Sequence, residues 1–249
     1  AITVIAIPML LILLQNDTGS ALVFCSFVFV LFREGLSSYV LIIGATCILL
    51  FILALLANQY ILIGIYFILI ISAYFILRKR IRKLNIWIFI CTFIGASLFT
   101  LAVDFVFENV LEPHQKDRIE VLLGKKEDFK GVGYNVNQSK IAIGSGGVVG
   151  KGFLNGTQTK FNFVPEQDTD FIFCTIGEEW GFIGSSLTII LFIVLCTKLI
   201  KMAERQRSKF ARIYGYSVAS IIFFHFFVNI GMTIGLLPVI GIPLPFISY

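Results

Sequence analysis

Seven apolar runs, at residues 1 to 14, 20 to 32, 39 to 57, 60 to 77, 86 to 107, 183 to 197 and 213 to 237, constrain what this chain can become. A bilayer core asks for about 20 apolar residues per helix, because a helix satisfies its own backbone where no water is present. Most of the runs meet that length. The first two are short, so one reads as cut and the other as extending into its polar flanks. With 57% of 249 residues hydrophobic and 14% charged, an ordinary soluble domain is excluded. The expected fold class is all-α, a polytopic transmembrane helical bundle with one large extracytoplasmic loop.

Charge placement orients the bundle. Arg33, the run Arg78, Lys79, Arg80, Arg82 and Lys83, and the stretch Lys198, Lys201, Arg205, Arg207, Lys209 and Arg212 hold 12 of the 20 basic residues, opposed only by Glu34 and Glu204. Short loops rich in Lys and Arg stay in the cytoplasm. Those segments are therefore expected inside, and Asp17, Asn58 and residues 108 to 170 outside. The net charge of +5 is then a topology signal and implies no nucleic-acid partner. Cys25, Cys47, Cys91, Cys174 and Cys196 lie in or beside apolar runs without paired or metal-ligand spacing, and read as small hydrophobes. Residue 1 opens directly into an apolar run, and Tyr249 closes a stretch holding Pro238, Gly241, Pro243 and Pro245. The chain reads as a piece of a longer protein. Its expected divisions are transmembrane helices over 1–107, an outer loop carrying the active site over 108–170, and re-entry with C-terminal helices over 171–249.

The loop carries the chemistry-bearing residues. Long loops in compact proteins are usually functional, and this one holds eight basic and nine acidic residues from Glu108 to Asp170. Its glycine stretch, Gly144 to Gly152, fails the Walker pattern, with Ser145 where Gly is needed and Gly152 where Ser or Thr is needed. It fails the dinucleotide pattern at Val149. What survives is a close-approach backbone beside Lys140 and Lys151, able either to meet a diphosphate or simply to turn tightly. Further on, Glu166, Gln167, Asp168, Thr169 and Asp170 precede the apolar Phe171, Ile172 and Phe173. Asp168 and Thr169 read as helix N-cap residues. Asp170, at a water–membrane boundary, has the setting of a general base with a raised pKa. Glu178 and Glu179 follow beside an apolar helix, where an acid must line a wet cavity or pair with a base. His225, in an aromatic span, reads as hydrogen-bonded core, and His114 as solvated.

Several strings carry a family resemblance: HQKDRI at 114–119, GVGYNVNQSKIAIGSGGVVGKGFLNGTQ at 131–158, FVPEQDTDFIF at 163–173, GEEWGF at 177–182 and NIGMTIGLLPVIGIPLPFISY at 229–249. They resemble the SEDS family of peptidoglycan polymerases, and GKG at 150–152 followed by NGTQ is more similar to the RodA elongation branch than to the FtsW division branch. The first hundred residues match thinly, through QNDTGSAL at 15–22. The chain departs from the family at Asn16 and Thr18, in a usual Pro-Asp-Leu-Gly, and at Asp168, usually His. An extra hairpin is implied between residues 39 and 107. The first family helices and the residues after Tyr249 are expected to be missing.

The resemblance implies an inverting glycosyltransferase of the bacterial cytoplasmic (inner) membrane. It would add lipid II to a growing glycan strand with loss of undecaprenyl diphosphate, for cell elongation and rod shape. Asp170 aligns with the acid that the family uses as base. Arg118, Lys140 and Lys151 are the expected contacts to diphosphate or glycan, with Gln138 and Ser139 as hydrogen-bonding supports, Glu166 at the acceptor or a cation, and Glu178 and Glu179 as supports. No cofactor is assigned; a divalent cation such as Mg2+ is one way to neutralise the leaving group. The implied partners are lipid II, the nascent glycan strand, a class B penicillin-binding protein and other elongation-complex proteins. The alternatives are a flippase or transporter of lipid-linked precursors, which would favour charged or broken helices at the bilayer midplane, and a non-catalytic scaffold of the elongation machinery.

Overall fold

A computed structural model describes residues 2–15, 17–80, 85–109, 111, 113–124 and 132–249. Asn16, Arg82 and Lys83, invoked above, lie outside the described residues, as does the side chain of His114. The described residues form helices α1 (Ile2–Leu14), α2 (Thr18–Cys25), α3 (Phe27–Arg33), α4 (Ser38–Leu56), α5 (Gln59–Arg80), α6 (Ile86–Asn109), α7 (Pro113–Leu122), α8 (Val132–Gly146), α9 (Thr157–Lys160), α10 (Ile172–Glu204) and α11 (Lys209–Thr233). Among the described residues, five segments are long and apolar enough to cross a membrane: Ser38–Leu56, Gln59–Arg78, Ile86–Asn109, Ile172–Glu204 and Lys209–Thr233. The protein is an all-α, multi-pass membrane protein.

The chain packs into two compact units. One comprises residues 37–116; the other joins the segment up to Leu36 to residues 117–249. In the first unit, α6 packs against both α4 and α5. None of the α4 residues is buried, and a helix apolar all round is at home only in protein core or lipid. A buried polar link joins Thr100 on α6 to Tyr66 on α5, whose hydroxyls lie 3.4 Å apart. A hydrogen bond of that kind stands in for the missing hydrophobic drive between helices in lipid.

The second unit is built on α10 and α11, with α8 laid across the beginning of α10. Three apolar clusters follow α10 from start to end. Phe171 and Cys174 pack with Val136, Ala142 and Val164; Phe192 packs with Phe226 and Leu244; Ala203 packs with Val30 and Tyr216. In the middle cluster the Phe192 and Phe226 rings stack at 4.8 Å. At the far end Arg212 binds Glu34 through Nε and Nη2 at 3.0–3.2 Å, and Arg33 meets Glu204 at 2.8 Å. The two acids that opposed the basic clusters in the sequence are thus their ion-pair partners.

Within the polar segment 108–170 lie the helices α7, α8 and α9. Helix α10 begins at Ile172, eleven residues before the apolar run at 183, because it is two helical pieces joined at Gly181, whose φ of 63° and ψ of −157° are non-helical. The five cysteines are all free, in line with their reading as small hydrophobes.

Candidate active site

A break in a helix frees backbone groups that must be satisfied elsewhere. At Gly181 the glycine stretch supplies the partners. Lys151 N and Gly152 N donate to Glu178 O and Glu179 O at 3.0 and 2.9 Å, while Phe182 N and Ile183 N donate to Gly147 O and Val148 O at 2.9 and 3.1 Å. Such backbone-to-backbone docking leaves no room for side chains: a Cβ on Gly146, Gly150 or Gly181 would overlap the facing main chain. Of the two readings left open for this stretch, the structure shows the tight turn. Its N–H groups at 151 and 152 bind the kinked helix rather than facing a phosphate.

Glu178 locks the same junction. Its side chain is fully buried. Oε1 accepts from Lys151 Nζ at 2.7 Å, Thr157 N at 2.8 Å, Gln158 N at 2.9 Å and Thr157 Oγ1 at 3.1 Å; Oε2 accepts from Thr159 N and Oγ1, both at 2.9 Å. Three successive N–H groups of α9 converge on this carboxylate, so an anion-binding helix N-terminus is filled by the protein's own acid. Gly156 precedes α9 because a Cβ there would overlap Thr159 Oγ1 and lie 2.8 Å from Glu178 Oε2. The buried acid has its base, as a membrane-proximal carboxylate requires. Lys151 is correspondingly engaged in the scaffold. Glu179 is also buried, and its carbonyl receives Gly152 N.

Asp170 sits differently. It is half-buried just before α10, and its carboxylate faces the C-terminal segment, where an ideal Cβ on Gly241 would stand 3.2 Å from Oδ2. Gly241 has φ +79°, the left-handed region in which glycine is favoured. Burial pushes the Asp170 carboxyl above the ordinary aspartate value, and the Glu166 charge adds to the shift. The surrounding loop is tied to the C-terminal segment by Ser248 Oγ to Thr169 O at 2.6 Å and Tyr249 N to Asp168 O at 3.0 Å. Asn229 of α11 donates to both Asp170 O and Ile242 O at 2.8 Å. The α2 N-terminus approaches the same segment: a Cβ on Gly19 would lie 3.2 Å from Ile240 O, and Asp17 caps α2 through Ser20 N at 2.9 Å.

The N-cap reading of Asp168 and Thr169 is corrected. The N-cap of α10 is Phe171, without a side-chain cap bond, and the Thr169 hydroxyl instead donates to Glu166 Oε2 at 3.2 Å. Phe171 N turns back to Glu166 O at 2.9 Å, which buries the Phe171 ring in the first cluster in preference to capping. His225 is hydrogen-bonded, as read, with Nδ1 3.3 Å from Pro243 O, but it is partly exposed rather than in the core.

Two candidate cations share a narrow cleft. Arg118 and Lys140, with Asn137, line a slot of about 50 Å³ walled by Val136, Leu237, Pro238 and Val239. The Arg118 Nε is buried with no hydrogen-bond partner. Lys140 lies over Gly235, where a Cβ would overlap its Cε and Nζ. The wall at 235–239 runs directly into Gly241, so one chain segment connects the slot to Asp170. Gln138 is partly buried on α8 and does not line this slot. Ser139 faces away from it into the core, fully buried, with Oγ donating to Thr233 O at 2.9 Å. Among the described residues no group of three or more His, Cys, Asp or Glu side chains gathers as a metal site. Glu166 lies near enough to Asp170 for its charge to act on that carboxyl.

Sequence reasoning missed Asn229, Gly241 and Ser248. Asn229 left a usable signal, since an amide in an otherwise apolar span requires a buried partner. For Gly241 and Ser248 the signal was the Gly- and Pro-rich stretch, which marks irregular chain without saying what it touches.

Comparison with known proteins adds to this geometry. Over 158 residues the chain is 41% identical to the peptidoglycan glycosyltransferase MrdB of Escherichia coli K12, an alignment covering 63% of this chain and 43% of that protein. It is 35% identical over 168 residues to the peptidoglycan glycosyltransferase RodA of Treponema pallidum, covering 68% and 38%. The chain thus spans less than half the length of these curated relatives. Among solved structures, a chain of a peptidoglycan synthase complex that coordinates polymerization and crosslinking superposes with a TM-score of 0.61 at 24% identity, over 96% of this chain and 52% of that one. That likeness shows a shared fold. Residues 63–249 match the FtsW/RodA/SpoVE cell cycle protein family, and with three quarters of its length inside that match, the chain belongs to this family.

Proposed function

We propose that the longer protein to which this chain belongs is a peptidoglycan glycosyltransferase of the elongation type, polymerising lipid II with release of undecaprenyl diphosphate. The observation that carries the proposal is Asp170, a desolvated carboxylate of raised pKa held at the start of a membrane helix against Gly241. A sugar hydroxyl must lose its proton as it attacks the anomeric carbon, and a carboxylate with elevated pKa is suited to take it. The C1–O bond to diphosphate breaks as the new glycosidic bond forms, so an α-linked donor gives a β-linked product in one inverting displacement. Diphosphate leaves without full protonation, and a single carboxylate suffices. Arg118 and Lys140 are the cations we assign to that leaving charge, and Glu166 tunes Asp170. A divalent cation, where bound, would supply further charge neutralisation at the diphosphate.

The ends of α10 support the orientation. Asp170 lies at its start, and Arg33, Glu204 and Arg212 gather at its end, which fits an outward-facing site and a cytoplasmic basic rim in the inner membrane. The transporter alternative draws nothing from Glu178, because that acid is saturated by internal donors rather than exposed to a path. A class B penicillin-binding protein is the proposed crosslinking partner, as the relatives' activity makes such a partner useful for the nascent strand. The test is incubation of purified full-length protein and that partner with lipid II in bilayers. Glycan strands that the partner alone does not make are expected; lipid II crossing the bilayer with no polymer would support transport instead.

A further inference from the structure

The side chain that joins Asp170 to its surroundings is Asn229. It sits on α11 near its C-terminal end, fully buried. Its Nδ2 donates both hydrogens, to Asp170 O and to Ile242 O, each at 2.8 Å. Those carbonyls belong to irregular chain segments 59 and 13 residues away from it, so neither has a helical partner to fall back on. The Oδ1 is buried and accepts no hydrogen bond. The orientation is nevertheless fixed, since exchanging O and N would aim an acceptor at two carbonyl oxygens. An amide that leaves its own acceptor unpaired is retained for what its nitrogen holds.

What it holds is the gap between Asp170 and Gly241. Ile242 follows Gly241, and the Gly241 Cα carries the hydrogen that faces Asp170 Oδ2, where a Cβ would stand 3.2 Å away. One amide therefore sets both walls: the backbone that carries the carboxylate and the backbone that faces it. We propose that Asn229 is a positioning residue for Asp170, acting through the two main-chain carbonyls and touching no substrate. The inference rests on the reading of Asp170 as the base. Its size follows from geometry, since a displacement on the order of 1 Å at a catalytic group lowers turnover by about 100-fold.

The test uses full-length protein with its penicillin-binding partner and lipid II, comparing wild type, Asp170→Asn, Asn229→Ala, Asn229→Asp, Asn229→Gln and Ser220→Ala. Ser220→Ala is the structural control on the same helix: it removes a buried bond of 2.7 Å to Ser26 O, about two and a half turns before Asn229 on α11. At matched folded fraction, Asn229→Ala is expected to lower kcat roughly 10- to 100-fold with KM for lipid II within about twofold. Asn229→Asp should lower it further, because carboxylate oxygens would face both carbonyls. Asn229→Gln, which keeps the two donors, should recover part of the loss. Ser220→Ala should stay near wild type in kcat. If Asn229→Ala retains turnover, or loses it only through KM, while Asp170→Asn is inactive, the positioning role is overturned and the reading of Asp170 stands. If Asp170→Asn polymerises at the wild-type rate, that reading fails and this inference falls with it.

Discussion

Replacing Glu178 should loosen one loop by a calculable amount. Its Oε1 collects four donors within 3.1 Å and its Oε2 two. Glu178→Ala leaves three N–H groups and a lysine ammonium without their carboxylate; breaking a fully buried ion pair by removing one partner costs about 3–5 kcal/mol, and the 26% exposure of the Lys151 side chain puts this pair at the low end. Glu178→Gln keeps the shape but converts one terminal atom into a donor. That nitrogen is best placed at the Oε2 position, where it opposes Thr159 N while the Thr159 hydroxyl turns to accept. One N–H is left unmade, so the cost should be roughly 1–3 kcal/mol, with a further loss from the uncompensated Lys151. Equilibrium unfolding in mixed micelles measures the totals. Hydrogen exchange at the amides of 157, 158 and 159 measures the local part, and 3 kcal/mol of lost protection corresponds to about 150-fold faster exchange. A cycle with Lys151→Met should return a coupling of about 1.5–3 kcal/mol, as for hydrogen bonds to charged groups. Unchanged exchange at all three amides in Glu178→Ala would refute the staple, whatever the global stability does.

Other expectations follow from the same contacts. Gly181→Ala forces a side chain into a backbone region that is essentially glycine-only, costing at least about 1–3 kcal/mol before the overlap with Gly150 N is counted, whereas Gly144→Ala, helical and open, should stabilise by up to about 1 kcal/mol; thermal unfolding separates them. Polymerisation should fall on the acid side as Asp170 protonates, at a pH above the ordinary aspartate value. Glu166→Gln removes a charge that raises that pKa and should move the limb to lower pH, read from kcat against pH. The same shift has a stability sign: burial favours protonated Asp170, so its contribution to folding is fully present below the unfolded pKa and is lost as pH rises through the folded one. Gly241→Ala should lower turnover at least tenfold, because its Cβ would press on Asp170 Oδ2 from a strained φ.

The membrane spans were legible because hydropathy and length alone decide them: the runs at 39–57, 60–77, 86–107 and 213–237 match helices within a few residues. Asp170 was legible as a charge at a boundary. The start of α10 was not, since Gly177 to Trp180 reads as polar punctuation until the glycine stretch is seen to satisfy the kink at Gly181. Lys151 and Ser139 show the same limit in side chains. A cation and a hydroxyl in a polar segment suit a substrate as well as a scaffold, and only their partners, Glu178 and Thr233 O, tell which contacts they make here. Asn229 was hidden because its role depends on two carbonyls brought together from distant segments.

The central claim, that Asp170 is the base, is tested most directly by single-turnover polymerisation of lipid II with wild type and Asp170→Asn, in full-length protein of matched folding and with lipid II binding measured in parallel. The account predicts intact binding and a loss of glycan product of about 100-fold or more, the scale of general base catalysis. Undiminished product from Asp170→Asn would contradict it and move the search for a base to Glu166.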